Sequence, residues 1–251
     1  MPRARDRFCG DTFAARFVDG QVRHDLAPAL AFTPAAISNV GRHRIVDDLV
    51  RDRIATDPHR RIIVLGAGFD TRAYRLDGGR WFELDDVQLL EFKESRLPAA
   101  DAKNRLERIP VAFDTTTADC FLTPLAGDDE AVVILEGVSM YLSDDTLTAL
   151  ARALVRHLPN ATLVCDLMSP MFARTFSRGL RQALAGIGAT FGERHVHPRV
   201  ALERGGLSPY THISIPGRTA ELGALPFPRW LLATAFRGLR DGYQVWTFRR
   251  A

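Results

Sequence analysis

The stretch Ile62-Ile63-Val64-Leu65-Gly66-Ala67-Gly68-Phe69-Asp70-Thr71-Arg72 decides how this chain is read. Its first four residues are an apolar, β-branched run of the kind buried on both faces of a parallel sheet. Gly66-x-Gly68 and the acidic Asp70 follow, which is the pattern of a strand feeding a tight turn and then a helix. Such a turn lets backbone N–H groups approach a ligand closely. In an open α/β sheet, nucleotide-like cofactors lie at the carboxyl ends of the strands.

Strand candidates recur along the chain at the spacing of a βαβ series: Ile62–Leu65, Arg80–Leu84, Arg108–Phe113, Ala131–Leu135 and Thr162–Cys165. Further candidates are Tyr210–Ile215 and the alternating Tyr243–Phe248, which follows the turn Arg240-Asp241-Gly242. Leu147, Leu150, Ala151, Leu154 and Leu158 recur at helical spacing behind an N-cap at Ser143, with Asp144 and Asp145 in the first turn. Ile37, Val40, Ile45, Leu49 and Ile54 predict an amphipathic helix before the first strand. The expected fold is α/β: a seven-stranded, mostly parallel Rossmann-like sheet with a late antiparallel strand, an arrangement that resembles that of the class I methyltransferases by fold-level analogy. Helices cover both faces, with a helical lid. One domain spans residues 1–251, with 1–60 contributing a helical cover and 167–207 a lid.

Composition narrows the class. Of the 251 residues, 46% are hydrophobic, enough for a full core. The mean hydropathy is −0.07, and no window approaches the roughly 20 apolar residues of a membrane span. Met1–Gly20 has no apolar signal region. Cys9, Cys120 and Cys165 are odd in number and lack metal-ligand spacing, which fits a reducing cytoplasm. The net charge of +3 comes from arginines scattered among acids, so it predicts a solvated surface and no nucleic-acid partner.

Other strand ends carry acids: Asp85 after Glu83-Leu84, Asp114-Thr115 after the third strand, and Glu136-Gly137 after the fourth. An acid after the second strand can accept ribose hydroxyls, and one after the third can accept an adenine amine. Taken singly, Asp85 reads as a helix N-cap, Asp114 as a turn starter and Glu136 as an arginine partner. Together they favour a cofactor. Thr71 stands where a dinucleotide turn has its third glycine, and no Gly-Lys-Ser/Thr follows, which argues against NAD and against a phosphate loop.

The run Val64–Leu76 closely resembles the signature of the leucine carboxyl methyltransferase family, which includes bacterial O-methyltransferases of polyketides and other natural products. Asn39–Asp48, Trp81–Asp85 and Ile134–Leu142 resemble further blocks of that family in order and spacing, so the likeness covers about residues 38–170. Asp86 departs from it, standing where an aromatic residue or His is more usual. The resemblance implies S-adenosyl-L-methionine as cofactor, with Gly66, Gly68 and Asp70 in its turn. Arg42 (or Arg44) would pair with its carboxylate, Asp85 would hold the ribose, Asp114 and Thr115 the adenine, and Glu136 would lie near the amine. Tyr141 would face methyl transfer.

The expected reaction is methylation of a carboxyl group on a small or medium natural product, an acceptor that needs no base because it is already ionised. A phenol or enol would need one, for which His195, His197 and His212 are candidates. His195-Val196-His197 also suggests a metal, but no third ligand follows from the sequence. Phe172, Phe176, Leu180 and Leu184 would cap the acceptor or pack as core. The remaining alternatives are a non-catalytic cofactor-binding homologue and a nicotinamide oxidoreductase.

Overall fold

The apolar run 62–65 is buried on both sides, as its composition demands, and it forms an interior strand of the sheet. A computed structural model describes residues 10–20, 33–113, 117–176, 196–224, 234 and 236–251. Among them, β1 (Arg61–Leu65), β2 (Arg80–Asp85), β3 (Leu106–Pro110), β4 (Ala131–Leu135), β5 (Thr162–Met168), β6 (Leu207–Ser214) and β7 (Tyr243–Arg250) form one sheet. The order is β3-β2-β1-β4-β5-β7-β6. Strands β1 to β5 pair in parallel, and β7 runs antiparallel between β5 and β6. The expected late reversed strand is therefore present.

Alternation along the strands divides the core in two. Ile63, Leu65, Val133 and Leu135 face one side with Leu147, Leu150 and Leu154 of α5 (Asp144–His157). Ile62, Val64, Val132 and Ile134 face the other with Ile45, Val46, Val50 and Ile54 of α1 (Thr33–Thr56). Period-two side-chain direction in a strand sorts the residues this way, so each face receives its own helices. Ser143 caps α5, its hydroxyl accepting the Thr146 N–H at 3.1 Å.

Two expectations shift. The third strand ends at Pro110 rather than Phe113, because its register is set by pairing from Trp81↔Leu106 to Asp85↔Pro110. Asp114 and Thr115 lie beyond it, outside the described residues. In the segment expected as a lid, Phe172 of α6 (Pro170–Phe176) packs against Tyr243, with ring centroids 5.5 Å apart, and belongs to the core. The side chain of Phe176, together with Leu180, Leu184 and His195, lies outside the described residues. No described helix is long and apolar enough to cross a membrane.

Candidate active site

Strand β1 neighbours both β2 and β4, so the sheet order reverses there, the place where an open α/β sheet leaves a ligand crevice at the carboxyl ends of its strands. The turn after β1 occupies it. Gly66 and Gly68 have φ of +67° and +46°, values that a side chain resists. The N–H groups of Gly66 and Ala67 donate to the Leu84 carbonyl at 2.9 and 3.1 Å. The Gly68 N–H donates to Asp85 Oδ2 at 2.6 Å. The turn thus spends its donors on β2; what it offers a ligand is open space at Gly68, where a Cβ would meet nothing within 4 Å.

Asp85 is the last residue of β2, and its Oδ1 accepts the Asp86 N–H at 2.7 Å. It is not the cap of the following helix. Asp86 caps α3 (Val87–Arg96), accepting the Gln88 N–H at 2.8 Å, which gives the departing residue a structural task.

Arg42 projects from α1 to the ends of β4 and β5. Its Nε donates to Glu136 Oε1 at 3.1 Å, and its Nη1 to Asp166 Oδ2 at 3.3 Å and to the Tyr243 hydroxyl at 2.7 Å. Its Nη2 makes no hydrogen bond among the described residues and lies beside Gly137, 3.0 Å from where a Cβ would stand. Arg44 turns instead to Asp48 at 2.8 Å, so Arg42 is the arginine of the crevice.

Glu136 also accepts Arg72 Nη2 at 2.6 Å, and Arg72 Nε donates to Asp47 Oδ1 at 2.7 Å. Asp70 pairs with the Arg72 guanidinium and accepts its backbone N–H at 2.7 Å. Arg75 pairs with Asp47. Burial pushes the Glu136 carboxyl up, but Arg72, His43 and Arg42 outweigh it and hold the group well below its ordinary range. Burial likewise opposes the charge on Arg42, and Tyr243, Asp166 and Glu136 more than restore it.

Asp166 ties the far side. Its Oδ1 accepts the Gly137 N–H at 2.6 Å and its Oδ2 the Tyr243 hydroxyl at 2.6 Å. Burial raises the Tyr243 phenol well above its ordinary value, so it stays protonated. Sequence reasoning missed Asp166, Tyr243, Asp47 and the role of Arg72. Asp166 was findable by the rule that found Asp85, as an acid near the carboxyl end of an apolar strand.

Tyr141 lies in a short 3-10 turn (Ser139–Tyr141) after β4 and is 38% exposed. Its partial burial raises the phenol pKa. Of the candidate imidazoles, His197 and His212 are among the described residues, and both are engaged elsewhere. His197 Nδ1 accepts the Arg199 N–H at 3.2 Å at the start of α7 (Pro198–Arg204), and His212 stacks on Trp246 at 4.5 Å. His43 sits between Arg72 and Arg75 at 2.8 and 2.7 Å.

The model of the leucine carboxyl methyltransferase family matches residues 2–155. A Frankia alni protein with an inferred S-adenosyl-L-methionine-dependent methyltransferase designation is 37% identical over 134 residues, covering 51% of this chain and 46% of that one. The tetracenomycin polyketide synthesis O-methyltransferase TcmP of Streptomyces glaucescens is 28% identical over 161 residues, covering 63% and 57%. The chain spans about half the length of the curated relatives it matches. Among solved structures, a DUF574 family protein of Streptomyces avermitilis superposes with a TM-score of 0.63 at 13% identity, over 99% of this chain and 96% of that one. Magnesium protoporphyrin IX methyltransferase of Synechocystis, with bound S-adenosylhomocysteine, gives 0.51 at 15%, over 98% of each. At these identities the likeness is one of fold, that of the class I methyltransferases.

Proposed function

The chain belongs to the leucine carboxyl methyltransferase family, and from that premise we propose that it is an S-adenosyl-L-methionine-dependent O-methyltransferase forming methyl esters on carboxyl groups of small natural products. The observation that carries the cofactor reading is Arg42. It is fixed on three sides, yet among the described residues its Nη2 is unengaged at the sheet's switch point, as in a carboxylate-binding guanidinium. The open space at Gly68 beside the Asp85 carboxylate fits the rest of such a molecule.

The cofactor supplies an electrophilic methyl group on a sulfonium. The chain's residues bind, orient and exclude water. Arg42 would receive a carboxylate and Asp85 would accept ribose hydroxyls, with Glu136 and Asp70 keeping Arg42 and the turn in place; Asp114 and Thr115, which the family resemblance assigns to the adenine, lie outside the described residues. Tyr141 borders the acceptor space. With its phenol pKa raised, it donates a hydrogen bond to the acceptor and does not take a proton at neutral pH.

A carboxyl acceptor follows from the same economy. It is ionised at neutral pH, about three units above its ordinary pKa of roughly 4, and needs no base. The engagement of His43, His197 and His212 in the network, a helix cap and an aromatic stack supports an acceptor of that kind. TcmP, named for O-methylation in polyketide synthesis, supports the natural-product class.

The test is to incubate the chain with methyl-labelled S-adenosyl-L-methionine and a panel of aromatic and polyketide carboxylic acids, then treat the products with mild base. Label released by base identifies a methyl ester. Base-stable label identifies an ether and replaces the carboxyl reading with the phenolic one.

A further inference from the structure

Residues 10–20 hold the turn after β1 from two sides. On the polar side, Asp11 Oδ1 accepts the backbone N–H groups of Phe13 and Ala14 at 3.0 and 3.1 Å and so shapes the 3-10 turn Ala14–Phe17. Its Oδ2 accepts the Thr71 hydroxyl at 2.8 Å. Thr71 is fully buried, and its oxygen in turn accepts Arg75 Nε at 3.1 Å. On the apolar side, buried Phe17 stacks on Phe69 with centroids 4.6 Å apart, and Phe69 meets Phe92 of α3 edge-on at 6.0 Å. Phe13 packs on Tyr74 at 5.5 Å.

Phe69 directly follows Gly68, and Thr71 directly follows Asp70, so each grip adjoins one of the two turn residues proposed to shape the cofactor site. A glycine at position 71, as in a dinucleotide turn, would leave Asp11 Oδ2 without its hydroxyl donor and the segment without its polar tie to the turn.

We propose that residues 10–20 are a clasp for the cofactor turn, with Asp11 and Thr71 as positioning residues that act through Gly68 and Asp70. The proposal rests on the cofactor reading above. A clasp and a ligand that both require one shape of the turn favour the same state, so each strengthens the other, and the coupling is reciprocal.

The experiment measures S-adenosyl-L-homocysteine affinity by calorimetry for the whole chain, Thr71→Val, Thr71→Ser and Asp11→Ala, and amide exchange of residues 10–20 with and without that ligand. Thr71→Val removes the hydroxyl at nearly constant volume, and Asp11→Ala removes the same bond from the surface side. We expect each to weaken binding about tenfold, the order of a lost hydrogen bond to a charged acceptor. Thr71→Ser should restore affinity to within about twofold, and the ligand should slow exchange at Phe13 and Ala14. Unchanged affinity in a folded Thr71→Val or in Asp11→Ala overturns the clasp, even if thermal stability drops, and so does exchange indifferent to ligand. Failure of the unaltered chain to bind removes the cofactor reading and the clasp with it; failure at the variants alone leaves that reading standing.

Discussion

Arg42 Nε donates to Glu136 Oε1 across 3.1 Å, joining residues 94 positions apart in sequence. The bond anchors a helix that precedes the sheet to the end of its fourth strand. It also fixes the direction in which the remaining guanidinium nitrogen points.

Replacing Arg42 by Lys keeps a positive charge but loses the planar fork, which one ammonium cannot reproduce toward Glu136, Asp166 and a ligand together. We expect the KM for S-adenosyl-L-methionine to rise at least tenfold in Arg42→Lys, with a smaller change in kcat. Steady-state kinetics checks this, and an unchanged KM removes Arg42 from the carboxylate site.

The ion-pair cluster should govern acid stability. Glu136 and Asp47 have folded pKa values below their ordinary 4.5 and 3.8; burial opposes the shift, and the arginines prevail. For a carboxyl with a depressed folded pKa, the stabilisation is complete above the unfolded value and is lost as pH falls toward the folded one. Urea unfolding should therefore show stability falling from about pH 4.5 downward. Glu136→Gln should be less stable at pH 7 by about 3 kcal/mol, since Arg42 and Arg72 lose their shared anion, and its acid slope should be shallower. Parallel slopes in the two proteins would locate the acid lability elsewhere.

The two glycines of the turn should fail for different reasons. At Gly66 an added Cβ would stand 2.5 Å from Val138 Cγ2, so Gly66→Ala suffers both a clash and a left-handed backbone. Adding Val138→Ala should recover part of the lost stability. At Gly68 the space is open, so Gly68→Ala should cost only about 1–2 kcal/mol of backbone strain. Its cofactor affinity should nonetheless fall by a hundredfold or more. Thermal unfolding and calorimetry together separate the two quantities; intact binding in Gly68→Ala would mean that the open space is not the cofactor's.

How legible these features were depends on what enforced them. Strands β1 and β4 stood out because burial on both faces demands continuous apolar runs, and β4 falls on Ala131–Leu135 as expected. β3 was misplaced by two to three residues because it is an edge strand with exposed positions such as Glu107 and ends in Pro110, leaving pairing with β2 to set its register. Asp85 alone reads as a helix N-cap in the sequence; the structure gives that role to Asp86 and frees Asp85 from it. Glu136 reads as an arginine partner in the sequence, but which arginine depends on how α1 lies across the sheet. Tyr243 was read only as a strand residue, because its partner Asp166 lies on another strand.

Asp85 offers a further check on the turn. Asp85→Ala leaves the Gly68 and Asp86 N–H groups without their acceptor and removes the carboxylate assigned to the ribose. We expect cofactor binding to fall below detection by calorimetry while the far-ultraviolet circular dichroism of the α/β fold persists. Retained affinity would exclude Asp85 from the site.

The most direct measurement is a calorimetric titration of the unaltered chain with S-adenosyl-L-methionine, S-adenosyl-L-homocysteine and NAD in parallel. We expect saturable one-to-one binding of both sulfur compounds and no heat of binding for NAD. Binding of NAD with no response to either sulfur compound would contradict the cofactor reading.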